Sequence, residues 1–175
     1  MADRTLDQTS KGWDVVVEGY EESFEPFTAQ YAEEALRLAD IKPREHVLDV
    51  AAGPGALTLA AAKAGAHVVA IDFAPQMVNR LRTRIKEESL ANVTAEVMDG
   101  EALEFPDEAF DAAFSVFGLI FFPDRAKGFD EMFRVLKPGG RAAVVAWGRR
   151  ERFRFINLLM QSIQIAVPNF THKST

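Results

Sequence analysis

The stretch VLDVAAGPGALTL, from Val47 to Leu59, climbs through aliphatic residues to an aspartate, turns through a loop of small residues, and continues with helical spacing. Working outward, His46–Val50 reads as a strand and Leu57–Ala64 as a helix ended by Gly65, with His67–Asp72 as the next strand. Pro75–Glu88 follows as a helix with proline in its opening turn, and Val93–Met98 as a third strand. Phe110–Val116 is expected as a fourth strand, Arg125–Leu136 as a helix, LKPGG as a turn and Arg141–Trp147 as a fifth strand. Upstream, residues 13–40 have helical spacing broken at Phe24–Pro26, so two helices are expected, closed by Lys42 and Pro43. Downstream, Arg150–Val167 places Phe155, Ile156, Leu159, Met160, Ile163 and Val167 on one helical face. Strands alternating with helices imply right-handed crossovers and a mostly parallel sheet covered on both faces. In such a sheet a ligand sits beyond the carboxyl ends of the strands, which directs attention to the loops after Val50, Ile71, Val97, Val116 and Trp147.

The bulk properties narrow the function. A chain of 175 residues suits one domain with a sizeable core. Its formal net charge of −6 argues against nucleic acid or an anionic membrane as the main partner. The absence of cysteine excludes disulfides, thiolate catalysis and cysteine metal sites. Asp3, Arg4 and Asp7 interrupt the amino end, which has no apolar stretch and does not read as a secretory signal. The apolar run Ala112–Phe122 is broken by Ser115 and Gly118 and is too short to span a bilayer. A soluble cytoplasmic protein is expected.

The loop itself separates candidate ligands. Gly53 and Gly55 permit close approach of a ligand to the backbone. A dinucleotide fingerprint wants glycine or alanine at position 58, where this chain has Thr58. Asp49, just ahead of the loop, would repel a pyrophosphate and welcome a cationic amine. Asp72, at the end of the second expected strand, can accept both hydroxyls of a ribose. The two aspartates describe a ligand with a ribose, an ammonium group and no phosphate, a description that S-adenosylmethionine meets.

At this point the chain resembles the class I S-adenosylmethionine-dependent methyltransferases, in the branch of small-molecule enzymes like those of ubiquinone and menaquinone biosynthesis. The family's acidic-x-Gly-x-Gly-x-Gly motif is matched by Asp49, Ala51, Gly53 and Gly55, with Ala51 in place of the first glycine. VVAIDFAPQMV resembles its second acidic motif, MDGEALEFPDEAFDAAFSVFGLIFFPD its third signature, and LKPGGRAAVVAW its approach to the fifth strand. The resemblance runs from about Trp13 to Trp147. It implies a Rossmann-like α/β fold, a parallel sheet flanked by helices. Residues 1–45 would form a helical lid, 46–148 the cofactor-binding core, and 149–175 a helix and tail, all in one structural domain.

The resemblance further implies that Asp49 serves the methionine ammonium, often through water, and that Ala51, Gly53 and Gly55 line the methionine moiety with backbone. Asp72 would hold the ribose, with Phe73 and Met77 flanking the adenine. Asp99 would receive the adenine amino group, and the Gly100–Glu101 backbone would address the ring nitrogens. Ser115, Val116 and Phe117 would pass beneath the methionine portion, with Tyr20 as a lid residue. Plainer readings stand beside these: Met77 as core, Asp99 as a turn former, and Tyr20 as a packed aromatic. The run from Arg80 to Glu88 is expected to be a solvated helix face.

Of the three histidines, His46 and His67 begin strands at the end away from the site and His172 lies in the tail, so no histidine base is expected. No carboxylate cluster is spaced to hold magnesium, and no metal is expected. Phe117, Phe121, Phe122 and Trp147 point to a small apolar or aromatic acceptor. The product would be S-adenosylhomocysteine. The family continues into sixth and seventh strands that have no counterpart before THKST. Arg141–Trp147 is therefore expected as an exposed edge that a second copy could cover. The alternatives are a cofactor-binding module without catalysis and a nicotinamide-dependent oxidoreductase.

Overall fold

The computed structural model describes residues 5–148. Strands β1 (His46–Val50), β2 (His67–Asp72), β3 (Val93–Val97), β4 (Phe110–Val116) and β5 (Leu136–Val145) form one sheet in the order β3-β2-β1-β4-β5. Every neighbouring pair is parallel. The order reverses direction at β1, which opens a crevice at the carboxyl ends of β1 and β4. Val47, Leu48 and Val50 of the central strand are fully buried, because both faces of the sheet are covered.

On one face, α2 (Glu25–Leu38), α3 (Ala56–Lys63) and α4 (Pro75–Glu87) pack through Ala32, Ala35, Leu57, Ala61, Val78 and Leu81. On the other, α5 (Arg125–Arg134) and the residue 98–109 connection cover Leu48, Val50, Phe110 and Ala113 with Met132, Val135 and Leu103. No helix among the described residues is long and apolar enough to cross a membrane.

The elements expected within residues 5–148 are all present, with one correction to the architecture. LKPGG is not a turn preceding the fifth strand; it lies within β5. Pairing passes from Phe110 with Leu136 to Ala112 with Arg141, so the intervening residues bulge out of register. Gly139, at φ +79°, supplies the left-handed conformation this bulge requires. The strand ends at Val145, leaving Trp147 beyond it. The helix expected over Arg150–Val167 lies outside the described residues.

A second correction concerns Arg80–Glu88. Arg82, Thr83, Lys86, Glu87 and Glu88 are exposed as expected, but Arg80 and Arg84 are half-buried and seat the amino-terminal hairpin formed by α1 (Ser10–Ser23) and α2. Three contacts follow one another along α4. Asp14 Oδ1 accepts from the Gln76 amide at 2.8 Å, capping a helix whose own N-cap residue, Ala74, has no side chain to do so. Arg80 forks onto Glu21 with two bonds of 2.6 Å, and Arg84 reaches Glu25 at 2.6 and 2.8 Å. The hairpin bends at Phe24, which ends α1 and opens α2. Pro26 follows in the first turn, where a missing amide costs nothing.

The glycine loop closes β1 onto α3. Gly55 has φ +103°, and a Cβ there would stand 2.3 Å from Leu81 Cδ1, so both backbone and packing exclude a side chain. Ala51 also adopts a left-handed conformation, φ +57°, against the preference of an L-residue. The relaxed backbone of glycine at position 51 outweighs its greater freedom in the unfolded chain. Ala51→Gly is expected to raise stability by about 0.5–1 kcal/mol. Urea unfolding would measure it, and a variant less stable than the parent would contradict the strain.

Candidate functional site

The carboxyl ends of the strands open into a cavity of about 710 Å³, roofed by α1 and the start of α2. Asp72 ends β2 at its floor. Its Oδ2 accepts from the Gly53 amide and its Oδ1 from the Ala74 amide, each at 2.9 Å. The Phe73 amide also bonds to this carboxyl. Burial pushes the Asp72 carboxyl up to about 6 against the opposing pull of these amides, with the charge of Asp14 adding to the rise.

Asp49 is one strand over and off the cavity wall, only 1% exposed. Its Oδ2 accepts the Thr58 hydroxyl at 2.6 Å, and the Thr58 backbone also bonds to it. Thr58 lies in the first turn of α3, so Asp49 caps this helix from the neighbouring strand. Burial raises the Asp49 carboxyl to about 7, with the charge of Asp72 adding to it and Thr58 opposing it. Thr58, the residue that breaks the dinucleotide fingerprint, is thus the partner of the acidic residue.

Beyond β3, Asp99 Oδ1 accepts from the Glu101 amide at 2.9 Å, and Glu101 Oε1 accepts from the Asp124 amide at 2.8 Å. These bonds hold the Asp99–Glu101 backbone at the cavity edge. Gly100 packs so closely that a Cβ would meet Phe122 at 2.5 Å. Opposite, the wall is aromatic. Trp13 lies 5.9 Å from Tyr20 and 5.0 Å from Phe121, and Phe24 stacks on Tyr20 at 5.9 Å. Phe117 and Trp147 meet at 4.5 Å. Phe117 has φ +57°, a strained conformation for a bulky residue of the kind that clusters at ligand sites. Burial raises the Tyr20 phenol above its usual value, countered by a hydrogen bond with Thr28, so it stays protonated and neutral.

Most of the expected site residues are brought together. Ala51, Gly53, Asp72, Phe73 and Met77 line the cavity from the loop after β1, the end of β2 and the start of α4. Asp99, Gly100 and Glu101 line it from the β3 side, Val116 and Phe117 from β4, and Tyr20 from the roof. Asp49, Gly55 and Ser115 stand behind the wall: Gly55 packs on Leu81, and the Ser115 hydroxyl accepts from the Leu119 amide at 3.0 Å. His46 and His67 stand side by side at the opposite end of the sheet, at the starts of β1 and β2. Trp13, Phe24, Thr28 and Met98 join the lining without having been singled out. Trp13, Tyr20 and Phe24 share one helical face, a spacing that marks the roof.

The cavity fits an adenosyl amino acid. Its volume falls in the usual range for small-molecule sites, roughly 300–1,000 Å³. A side chain at Gly53 would stand in open space at the wall, so the glycine leaves room for a chain crossing the backbone. The Asp72 carboxylate at the wall suits a hydroxyl-bearing, cationic ligand, with Asp49 behind it adding negative charge when ionised.

The family model described as a methyltransferase domain matches residues 47–140. An uncharacterised protein of Mycobacterium bovis is 40% identical over 109 residues, covering 62% of this chain and 39% of that one. The demethylmenaquinone methyltransferase of Tropheryma whipplei is 38% identical over 125 residues, covering 71% of this chain and 51% of that protein. The chain therefore spans about two-fifths to one-half of the length of these relatives. The crystal structure of an S-adenosyl-L-methionine-dependent methyltransferase candidate from Methanococcus maripaludis shares the fold, with a TM-score of 0.70 at 24% identity over 96% of this chain and 76% of that one. The strand order, the acidic floor under a glycine loop and the matched model converge: the chain belongs to the methyltransferase-domain family, in its class I S-adenosylmethionine-dependent group.

Proposed function

We propose that this domain binds S-adenosylmethionine and presents its methyl group, in line, to a small apolar or aromatic acceptor. One observation carries the reading: a single cavity joins an acidic end, Asp72 and Asp99, to an aromatic end, Trp13, Phe117, Phe121 and Trp147. The bound cofactor supplies an electrophilic methyl on a sulfonium. Asp72 takes the ribose hydroxyls, Asp99 the adenine amino group, and the Gly100–Glu101 backbone the ring nitrogens. Phe73 and Met77 flank the adenine. The loop from Ala51 to Gly55 lines the amino-acid portion, while Asp49 acts from beneath through its charge or a bridging water. Ser115 braces the turn after β4, and Val116 and Phe117 underlie the transfer point.

The acceptor end offers flat aromatic surface and a neutral Tyr20 hydroxyl. It orients an acceptor and excludes water from it, which is most of what methyl transfer asks. The Tropheryma whipplei relative is named for a quinone substrate. A flat quinone-like ring, nucleophilic in its reduced form, is the acceptor class we infer for this chain.

Calorimetric titration with S-adenosylmethionine, S-adenosylhomocysteine and a reduced nicotinamide nucleotide tests the reading. Heat is expected with the two adenosyl ligands alone, and its absence would overturn the assignment. Asp72→Asn should weaken S-adenosylhomocysteine by about 10–100-fold, the loss of hydrogen bonds to a charged acceptor. Transfer of labelled methyl to reduced naphthoquinones tests the acceptor class; binding without any transfer would favour the non-catalytic alternative.

Burial holds both aspartates above the ordinary carboxylate value of 3.8 in the folded chain, Asp72 at about 6 and Asp49 at about 7. The folded chain therefore holds protons that the unfolded chain releases. Their stabilising contribution is full below pH about 4 and declines as pH rises through 6 to 7. A cationic ligand favours the ionised pair. Affinity for S-adenosylmethionine should thus rise from pH 5 to 8, with protons released on binding near pH 6. Titration in buffers of different ionisation heat measures that release, and proton uptake would contradict the assignment.

A further inference from the structure

We infer that Arg84 is a positioning residue for the cofactor loop, setting the Pro54–Gly55 peptide and tying it to the docked amino-terminal hairpin. Arg84 Nη1 carries two hydrogens and faces three acceptors. The Glu25 carboxylate lies at 2.6 and 2.8 Å and the Pro54 carbonyl at 3.0 Å. One hydrogen is shared by the carboxylate oxygens and the other goes to the loop. The pair is shielded, with the side chains of Arg84 and Glu25 only 18% and 10% exposed. Low local polarity strengthens such bonds and makes an unpaired member costly.

The consequence for the loop follows from peptide planarity. The carbonyl of Pro54 and the amide of Gly55 belong to one plane and point in opposite directions. With the carbonyl held by Arg84, the Gly55 amide is turned onto Ala52 O at 3.1 Å, closing the turn. The other loop amides are tied from within the fold, Ala52 to Ile71 O and Gly53 to Asp72 Oδ2, each at 2.9 Å. Pro54 has no amide of its own, so its carbonyl is the group through which a distant side chain grips this peptide. Glu25 opens α2, so the grip engages when the hairpin is seated.

Arg80 provides an internal control. It forks onto Glu21 of the same hairpin with bonds as short, 2.6 Å each, and no hydrogen bond runs from it to the loop. If the arginines only dock the hairpin, the two positions are equivalent. If Arg84 also positions the loop, they are not.

Amide hydrogen exchange across residues 51–58, in the full chain without ligand, makes the comparison. Arg84→Met is expected to speed exchange there by about tenfold, the loss of a charge-assisted hydrogen bond, with Arg84→Lys intermediate. Arg80→Met should speed exchange in α1 while leaving residues 51–58 at the parent rate. If Arg84→Met does not fold, Arg84→Lys against Arg80→Met carries the comparison. Unchanged exchange in a folded Arg84 variant, or equal loosening by Arg80→Met, would overturn the inference. That this loop receives the cofactor rests on the function proposed above, and titration with S-adenosylhomocysteine separates the two. A parent that does not bind it overturns that function, while the exchange rates still decide the positioning role. A binding parent with an Arg84→Met variant of unchanged affinity overturns the coupling to the ligand.

Discussion

The carboxylate of Asp72 accepts one amide from the glycine loop and one from the start of the next connection, and the site is built around that junction. These bonds bind the end of β2 to the turn after β1, so the two central strands share one floor. The cost is burial, which raises the carboxyl of Asp72 and that of Asp49 behind it, with the charge of Asp72 adding to the rise at Asp49. Asp72 faces the cavity with Asp49 behind it, so the junction that organises the fold also sets the charge of the proposed ligand site.

Above this floor the roof is held by charge on its outer side and by aromatic contact on its inner side. Asp14, Glu21 and Glu25 engage α4 in sequence, while Trp13, Tyr20 and Phe24 face the cavity. α1 can therefore present an apolar surface to the cavity without burying that surface in the core. The hairpin's attachment to α4 is polar, while α2 also enters the aliphatic core on one face of the sheet through Ala32 and Ala35.

Strand identity and order of appearance were legible because β1, β2 and β4 are short apolar runs bounded by turn residues. Phe110–Val116 has the bounds its pattern implies. LKPGG was not legible as strand. Proline and two glycines are turn formers locally, and only pairing with β4 makes them a bulge. Arg80 and Arg84, within a mostly exposed stretch of α4, were hidden for a related reason. A helix face rich in arginine looks solvated until its acidic partners, some sixty residues earlier in the chain, are placed against it. The roof aromatics had a usable signal in their shared helical face.

The chain's local pattern determined the alternation of strands and helices, the small-residue loop and the acidic residues that flank it, since these follow from hydrophobic period and backbone freedom. It also carried the family, because Asp49, Gly53, Gly55 and Asp72 keep their spacing within contiguous motifs. Tertiary structure alone decided what those residues touch. It set Asp49 behind the wall as the cap of α3, faced Asp72 into the cavity, and brought Arg84 onto the Pro54 carbonyl. Those outcomes depend on contacts between segments far apart in the chain, and no local period encodes where such segments meet.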